Sequence, residues 1–522
     1  MTGFGRGGVG RKLIASAALI ALGEAIVFEE GMIGAALGGF ALAWLAVLVV
    51  TRPAVFRDRA ARIAALAAGG FALVLVDDPG FLTLLLFAIA VSLAALLPRR
   101  RFDDAIAWAG RLVWHGVSGL GAPLRDLGKI GRVRERRRYQ GLRLTGMISL
   151  VALPIVGGAL FLTLFANANP LIANAFSGVT LPGLDTVVLR TILAAVITAG
   201  AWPMLRPAAS TTRQRQERAG FDLDAVQPGP ATLTLSLVVF NAIFAVQNAL
   251  DIAFLWSGAP LPSRVTMAEY AHQGAYGLIV TALLAGAFVL VALRPGSVGA
   301  ASATVRRLVT VWIAQNVLLV ASSALRTLDY VDAYGMTTLR LAALAWMALV
   351  ATGLVLIGWR LLRGRSAAWL INANALAAAL VLALCSVVDL GAAAAAWNAR
   401  VALAMGRKGP PLDLCYLHEL GPSAIVSVAE LERHASDPAI RDRLAFLRVE
   451  AQDEIAIRQS YWRGWTWRNA RRTAQVEMMV RPVRLRPAPY GRECNGAIRR
   501  PNPLTTASMP PQNSSLTGAA QR

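Results

Sequence analysis

The chain has 522 residues, of which 56% are hydrophobic and only 16% are charged. A soluble protein carries about 25% charged residues, so this composition excludes a water-soluble globular protein, a disordered chain and a coiled coil, and it indicates an integral membrane protein. The formal net charge of +22 is explained by Lys and Arg in cytoplasmic loops rather than by nucleic-acid binding, since neither a zinc-finger spacing nor an RNA-binding motif accompanies it.

Eleven apolar segments are long enough, or nearly long enough, to cross a bilayer as helices of about 20 residues. We predict spans at 12–28, 32–51, 59–76, 79–97, 145–166, 184–205, 231–255, 272–293, 305–325, 335–360 and 367–391. A basic stretch precedes the first span, but the apolar run continues toward the second span without a convincing cleavage site. We therefore interpret it as a membrane helix rather than a signal peptide.

The distribution of basic residues predicts the orientation of these spans. The outer loops hold only Arg264 and Arg326, whereas most Lys and Arg before residue 391 fall in the inner loops. The positive-inside rule then predicts a cytoplasmic N-terminus and, after eleven crossings, an extracytoplasmic C-terminus. The expected location is a bacterial inner (plasma) membrane, with the lipid bilayer as the main partner.

The predicted fold class is all-α, a polytopic membrane bundle with a small extracytoplasmic helical region at its C-terminal end. The predicted parts are a four-helix membrane part (1–97), a basic cytoplasmic loop (98–144), a seven-helix membrane core (145–392), a helical C-terminal region (393–480) and a disordered tail (481–522). In the C-terminal region, Asp437 followed by Pro438 predicts the start of a helix.

The three cysteines carry little information by their spacing. Cys385, Cys415 and Cys494 lie far apart and none belongs to a C-x-x-C pair. The sequence therefore indicates neither a disulfide framework nor a zinc site.

The basic loop contains two features of interest. Residues 103–120 can form an amphipathic helix, with Ile106, Val113 and Val117 on one stripe, that would lie in the membrane interface. A cluster of arginines follows: Arg132, Arg134, Arg136, Arg137 and Arg138. This cluster is either a binding patch for anionic lipid headgroups or simply a determinant of topology.

Ionisable side chains in or beside membrane helices are the best functional leads, because burying a charge in the bilayer costs at least about 2.5–3.5 kcal/mol. The predicted topology places a set of polar residues at the outer helix ends, as a candidate outer polar rim: Asp251, Glu269, His272, Asp329, Tyr330, Asp332, Tyr334, Arg340 and Asp389. These residues either lie in the headgroup region or line an outward-facing cavity for a cation, an amine or a polar headgroup. We expect Arg340 to pair with Asp332 or Glu269.

Metal and enzyme chemistry find weaker support. Glu269 and His272 share one helical face, but a Glu-x-x-His metal site in a helical bundle usually needs a second such motif and partner carboxylates. The sequence has no second motif and no nucleophile elbow, P-loop or zinc-protease motif. We therefore predict no metal and no cofactor, and a protein that is not an enzyme is the favoured expectation.

Three strings resemble a bacterial multi-pass membrane family known only as a domain of unknown function (number four-one-seven-three, with close kin four-one-five-three). They are Ala268–Ala275, Leu328–Arg340 and Gly409–Pro422. The Tyr-Gly-x-Thr-x-x-Arg core of the second string is the most specific. The resemblance implies a helical membrane domain followed by a short helical region outside, and it supplies no substrate or catalytic residue.

Three functions therefore stand open. The first is an accessory or sensory membrane protein that binds an envelope component or an envelope protein partner through its outer face. The alternatives are a transporter of a small cation or polar solute and a membrane enzyme that acts on a lipid-linked substrate.

Overall fold

The computed structural model describes residues 6–27, 33–135, 184–205, 230–253, 302–406 and 409–500. Within these ranges the chain forms helices and no strand, so the fold is all-α. The α-helices are α1 (Arg6–Val27), α2 (Ala36–Thr51), α3 (Ala54–Arg57), α4 (Arg59–Asp77), α5 (Phe81–Leu96), α6 (Ala105–Glu135), α7 (Leu184–Leu205), α8 (Pro230–Asp251), α9 (Ala303–Tyr334), α10 (Thr338–Arg363), α11 (Ala367–Val387), α12 (Leu390–Met405), α13 (Leu414–Glu419), α14 (Ile425–His434), α15 (Pro438–Ser460) and α16 (Trp467–Met479).

Seven of the described helices are long and apolar enough to cross a membrane, namely α4, α5 and α7 to α11. The apolar parts of α1 and α2 are shorter. Described helices thus occupy nine of the predicted spans. The spans predicted at 145–166 and 272–293 lie outside the described residues, as does the string Ala268–Ala275.

At one end of the bundle, three helices meet around Arg52, the residue that follows α2. Its guanidinium donates hydrogen bonds to the carbonyl oxygens of Ala95, at 2.5 Å, and Met204, at 3.1 Å. These carbonyls belong to the last turns of α5 and α7, where the helix dipole favours a cation. The C-terminal ends of α2, α5 and α7 therefore meet at the same side.

Helices α8 and α9 pack in parallel. The Asn241 amide donates to the Leu308 carbonyl and the Asn248 amide donates to the Gln315 carbonyl, so both helices advance in the same direction. Between these contacts, the Trp312 ring stacks on Phe240 and packs edge-on against Phe244. The two helices therefore begin on the same side of the bundle.

Two predicted helix boundaries are wrong at the other end of the bundle. Residues 326–334 were expected to form an outer turn, but α9 continues to Tyr334, and the turn to α10 is only Gly335–Thr337. The last span, predicted to reach 391, ends at Val387, because Asp389 accepts the Ala392 amide and starts α12 as its N-cap.

Residues 390–500 form a helical unit at this end, which we call the cap. Its core lies between α12, α13, α14 and α15, with Leu417, Val428 and Leu444 buried. The start of α15 is as predicted: Pro438 is its first residue and Asp437 caps it. The cap touches the start of α2, where the Ala35 amide donates to the Trp465 carbonyl.

The expectation of a disordered tail from 481 and of no disulfide is wrong for the described part of that tail. Cys494 forms a disulfide with Cys415, and the Arg492 guanidinium donates to the Asp442 carboxylate at 2.7 Å. Gly496 lies against the backbone of Arg443, where a side chain would not fit. Composition misses these contacts because a covalent bond to α13 and an ion pair to α15 hold an irregular segment in place.

The amphipathic helix of the basic loop exists and is longer than predicted, since α6 runs to Glu135. Its Ile106, Val113 and Val117 side chains are exposed, as an interface helix requires, and Trp108 is buried. Arg132 and Arg134 fall on the last turns of α6, but their side chains, and all of Arg136–Arg138, lie outside the described part of the chain.

Candidate functional site: a cleft between the bundle and the cap

A cleft of about 280 Å³ opens between the α9–α10 turn and the cap. The α9–α10 side of the cleft is formed by part of the string Leu328–Arg340, and the cap side by α12 and part of the string Gly409–Pro422. The lining side chains used below are Tyr330, Asp332, Tyr334, Arg340, Trp397, Asn398, Asp413 and Tyr416. Two of the strings singled out by the sequence therefore meet in one site.

The turn between α9 and α10 has a backbone that only glycine fits. Gly335 has a φ of +80°, and a Cβ there would approach the Asn398 side chain to 3.1 Å. The Asn398 side chain in turn accepts the Met336 amide at 2.6 Å and donates to the Met336 carbonyl at 2.9 Å. Both polar ends of Asn398 are thus used to hold the turn against α12.

A second contact ties the start of α10 to the cap. The Tyr416 hydroxyl accepts the Thr338 amide at 2.9 Å. Tyr416 lies on α13, which begins with Asp413 as its N-cap and is linked to the tail through Cys415. The cleft therefore has walls that are fixed by hydrogen bonds on both sides, rather than by a loose loop.

Aromatic rings and one guanidinium form the bundle side of the cleft. The Tyr330 and Tyr334 rings lie 4.7 Å apart, and the Arg340 guanidinium sits 4.2 Å from the centre of the Tyr330 ring. Arg340 also donates to the Gly335 carbonyl. The expected ion pair of Arg340 with Asp332 is not formed within the described residues, because the guanidinium is held by this carbonyl and by the ring instead. Glu269, the other expected partner, lies outside them.

The predicted polar rim divides into separate places. Tyr330, Asp332, Tyr334 and Arg340 line the cleft, whereas Asp329 is exposed on α9 beside it. Asp251 is 1% exposed and pairs with Arg326 between α8 and α9. Asp389 joins a different cluster, described below, and Glu269 and His272 lie outside the described residues.

An arginine cluster on α16 fixes the cap to the bundle, and sequence reasoning missed it. The Arg468 guanidinium donates to the Asp77 carboxylate at 2.9 Å, to Asp78 at 2.8 Å and to the Val387 carbonyl at 3.0 Å. Arg472 pairs with Asp389 and Arg471 with Asp77. The available signal was the spacing of the arginines at i, i+3 and i+4, which places them on one helical face.

Electrostatics in this cluster favour ionised Asp389. Burial would raise its pKa, but hydrogen bonds from the Ala392 amide, Arg472 and Ser423 outweigh burial and hold the pKa below its usual value. Burial raises the pKa of Asp78 in spite of Arg468. Because arginines of the cap pair with the carboxylates of this cluster, the cluster holds the cap against the bundle.

Comparison with known proteins agrees with the family resemblance that the three strings indicated. A family model described as "Domain of unknown function (DUF4153)" matches residues 63–431, which is well over half of the chain. The chain belongs to this family. Both sides of the cleft, from Tyr330 to Tyr416, lie inside the matched range. No curated protein and no solved structure matches the chain, so the DUF4153 assignment supplies a family but no activity.

Proposed function

We propose that this DUF4153 protein is an accessory or sensory protein of a bacterial inner membrane, which binds a component of the cell envelope in the cleft between α9–α10 and the cap. The observation that carries the proposal is the meeting of the two family strings in one cleft with fixed walls. Residues kept in place by Asn398 and Tyr416 present a preformed site, and preformed concave sites with a few directed polar groups are typical of ligand binding.

The lining points to the class of ligand. Tyr330, Tyr334 and Trp397 offer flat apolar faces, and Asp332 and Asp413 offer carboxylate acceptors. A ligand with apolar faces and many hydroxyl donors satisfies both kinds of surface. A saccharide unit of the envelope has this chemistry.

The proposal includes an extracytoplasmic cap, an eleven-span topology and a cytoplasmic N-terminus. The Cys415–Cys494 disulfide supports the placement of the cap, because structural disulfides persist in oxidising compartments and are rare in the cytosol. Exposed tryptophans at 462, 465 and 467 suit a cap that rests on the membrane interface. The positive-inside distribution supports the same side.

The test is equilibrium binding of a soluble envelope saccharide, the N-acetylglucosamine–N-acetylmuramic acid disaccharide, to the full chain in lipid nanodiscs. We expect saturable binding that weakens at least about tenfold in Asp332→Asn, since a lost hydrogen bond to a charged group is worth about 1.5–3 kcal/mol. Binding should also weaken in Tyr334→Ala, which removes an aromatic face from the cleft.

Asp329→Asn is the matched control, because Asp329 is an exposed carboxylate on the same helix that does not line the cleft. Its affinity should stay within about twofold of the parent protein. Equal affinity in all three variants, or no saturable binding by the parent protein, would overturn the proposal.

A further inference from the structure

A cationic side chain lies in the cleft, on its bundle side. Among the described residues that line the cleft, only Arg340 carries a positive charge. Its backbone amide donates to the hydroxyl of Thr337, the N-cap of α10, at 3.3 Å, so Arg340 belongs to the first turn of that helix. The guanidinium therefore extends from a fixed backbone position.

Two contacts fix the orientation of the Arg340 guanidinium. Its Nη1 donates to the Gly335 carbonyl, and its Cζ lies 4.2 Å from the centre of the Tyr330 ring. The contact with the ring uses the flat face of the guanidinium, so its edges remain open to hydrogen bonding. Within the described part of the chain, Nε and Nη2 donate to no acceptor. One edge of the guanidinium thus has no partner among these residues.

Another arginine at the junction of bundle and cap provides a contrast. Arg472 on α16 pairs with the Asp389 carboxylate. Arg340 pairs with no carboxylate of the described residues, Asp332 included. A guanidinium keeps its charge at every accessible pH, and its planar fork of donors matches two oxygens of a carboxylate or a phosphate. An oriented arginine of this kind is therefore suited to an oxyanion that a ligand brings.

The other charges of the cleft are compatible with an anion at Arg340. Asp332 and Asp413 also line the cleft, but both are exposed to water, which weakens their repulsion of a negative charge. The positive end of the α10 dipole lies at the Thr337 N-cap, within one turn of Arg340, and adds to the attraction. The cleft thus combines a cationic group at the start of α10 with two carboxylates that accept hydroxyl groups.

The open edge of Arg340 indicates the kind of saccharide that the cleft binds. We infer that the envelope saccharide is an acidic one, an inference that rests on the proposed function, and that Arg340 binds its carboxylate or phosphate group through Nε and Nη2. These two nitrogens share one edge of the guanidinium, so they donate in parallel to two oxygens of one oxyanion. Arg340 then selects acidic over neutral saccharides, while Asp332 and Asp413 accept the sugar hydroxyls.

The test compares matched charged and neutral ligands on the full chain in lipid nanodiscs. The N-acetylglucosamine–N-acetylmuramic acid disaccharide is compared with its methyl ester, which keeps the shape and removes the carboxylate charge. N-acetylglucosamine-1-phosphate is compared with N-acetylglucosamine. We expect the charged member of at least one pair to bind at least about tenfold more tightly, because hydrogen bonds between charged groups are the strong ones. The pair with the larger ratio identifies the oxyanion.

Two variants assign this preference to Arg340. Arg340→Gln removes the charge and the fork of donors, so the two affinities within that pair should come within about twofold of each other. Arg340→Lys keeps the charge without the fork and should retain an intermediate ratio. Arg363→Gln is the matched control and should keep the ratio of the parent protein. Arg363 lies at the other end of α10, where its guanidinium also covers an aromatic ring, that of Trp359, at 4.8 Å.

Loss of the acidic preference and loss of saccharide binding give different results. Saturable binding with equal affinities within both pairs would overturn the inference and leave the saccharide site standing. A preference that survives in Arg340→Gln would assign the oxyanion to another group and would overturn the inference as well. No saturable binding of any of the four ligands would overturn the proposed function itself, and the inference with it.

Discussion

Two ion pairs are buried in this protein to nearly the same degree, and they differ in how completely they are satisfied. In the cap, Arg448 donates to both oxygens of Glu432, at 2.6 and 3.1 Å, and its third nitrogen donates to the Gln452 side chain. In the bundle, Arg326 reaches only one oxygen of Asp251, and the other oxygen accepts no hydrogen bond in the described residues.

The difference lies in how many hydrogen bonds each buried carboxylate accepts. A buried pair whose hydrogen-bonding capacity is used up by protein groups has nothing to offer a ligand, and its removal affects stability alone. A carboxylate oxygen that is buried without a hydrogen bond costs stability instead. Burial and charge by themselves therefore do not mark a site.

The largest effect is expected from breaking the satisfied pair. Glu432→Gln or Arg448→Ala leaves one buried charge without its partner, which costs about 3–5 kcal/mol. The readout is urea or thermal unfolding of the cap. Arg458→Ala is the matched control, because the Arg458–Glu454 pair is about two-fifths exposed, at 41% and 42%, and such i, i+4 pairs contribute about 0.3–0.5 kcal/mol. If Arg458→Ala loses as much stability as Glu432→Gln or Arg448→Ala, the Arg448–Glu432 pair does not have the larger structural role assigned to it.

The disulfide is the next strongest element of the cap. Cys415→Ser/Cys494→Ser removes a link between residues 79 apart, and such links typically contribute about 2–4 kcal/mol. We expect faster tryptic cleavage in the tail after Arg484 and Arg492. Cys385→Ser, at a cysteine outside the disulfide, should leave the cleavage rate unchanged. If the double variant is cleaved no faster than the parent chain, the disulfide does not hold the tail.

A pair of double replacements sharpens the comparison. Glu432→Leu/Arg448→Met and Asp251→Leu/Arg326→Met each replace a whole ion pair by apolar groups of similar volume, which is often close to neutral in stability. Thermal unfolding should place both double variants closer to the parent protein than the single variant Glu432→Gln, because no buried charge is left without its partner. An unfolding temperature as low as that of Glu432→Gln in either double variant would contradict this explanation.

A smaller effect concerns acid. Burial would raise the pKa of Asp442, but Arg492 and the Arg486 amide outweigh it and hold the pKa below its usual value of 3.8. The folded state then binds fewer protons than the unfolded state, so this contribution is present above pH 4 and is lost as pH falls through the folded pKa. The amide hydrogen-exchange rates of residues 486–498, corrected for intrinsic rates, should therefore rise as the pH is lowered from 5 to about 2. In Asp442→Asn that additional pH dependence should disappear.

The sequence predicts helices better than it predicts contacts between them. Spans such as 59–76 and 184–205 are set by local apolar length, and α4 and α7 occupy them. The N-cap of Asp437 was readable for the same local reason. By contrast, the sequence places the Asp389 carboxylate at the end of a predicted span. Only the tertiary structure shows that Asp389 caps α12 and pairs with Arg472.

The sequence predicted the strings that form the candidate site but not the contacts between them. Leu328–Arg340 and Gly409–Pro422 stood out by their residues, but nothing in their spacing shows that Asn398 and Tyr416 bring them together. The sequence marks Asp251 as a charge near a predicted span. It does not show which buried oxygens near Asp251 lack a hydrogen bond in the described residues, because that depends on which donors the parallel α8–α9 contact has already used.

The central claim is that the cleft faces the outside of the cell and binds an envelope saccharide. It is tested by Tyr334→Cys in a Cys385→Ser background, with the native disulfide intact, since Tyr334 is 54% exposed. A membrane-impermeant maleimide applied to spheroplasts should label this cysteine without permeabilisation, and N-acetylglucosamine–N-acetylmuramic acid should slow the labelling. Phe56→Cys, exposed at the opposite end, should stay unlabelled until the membrane is opened. Labelling of Tyr334→Cys only after permeabilisation would contradict the account.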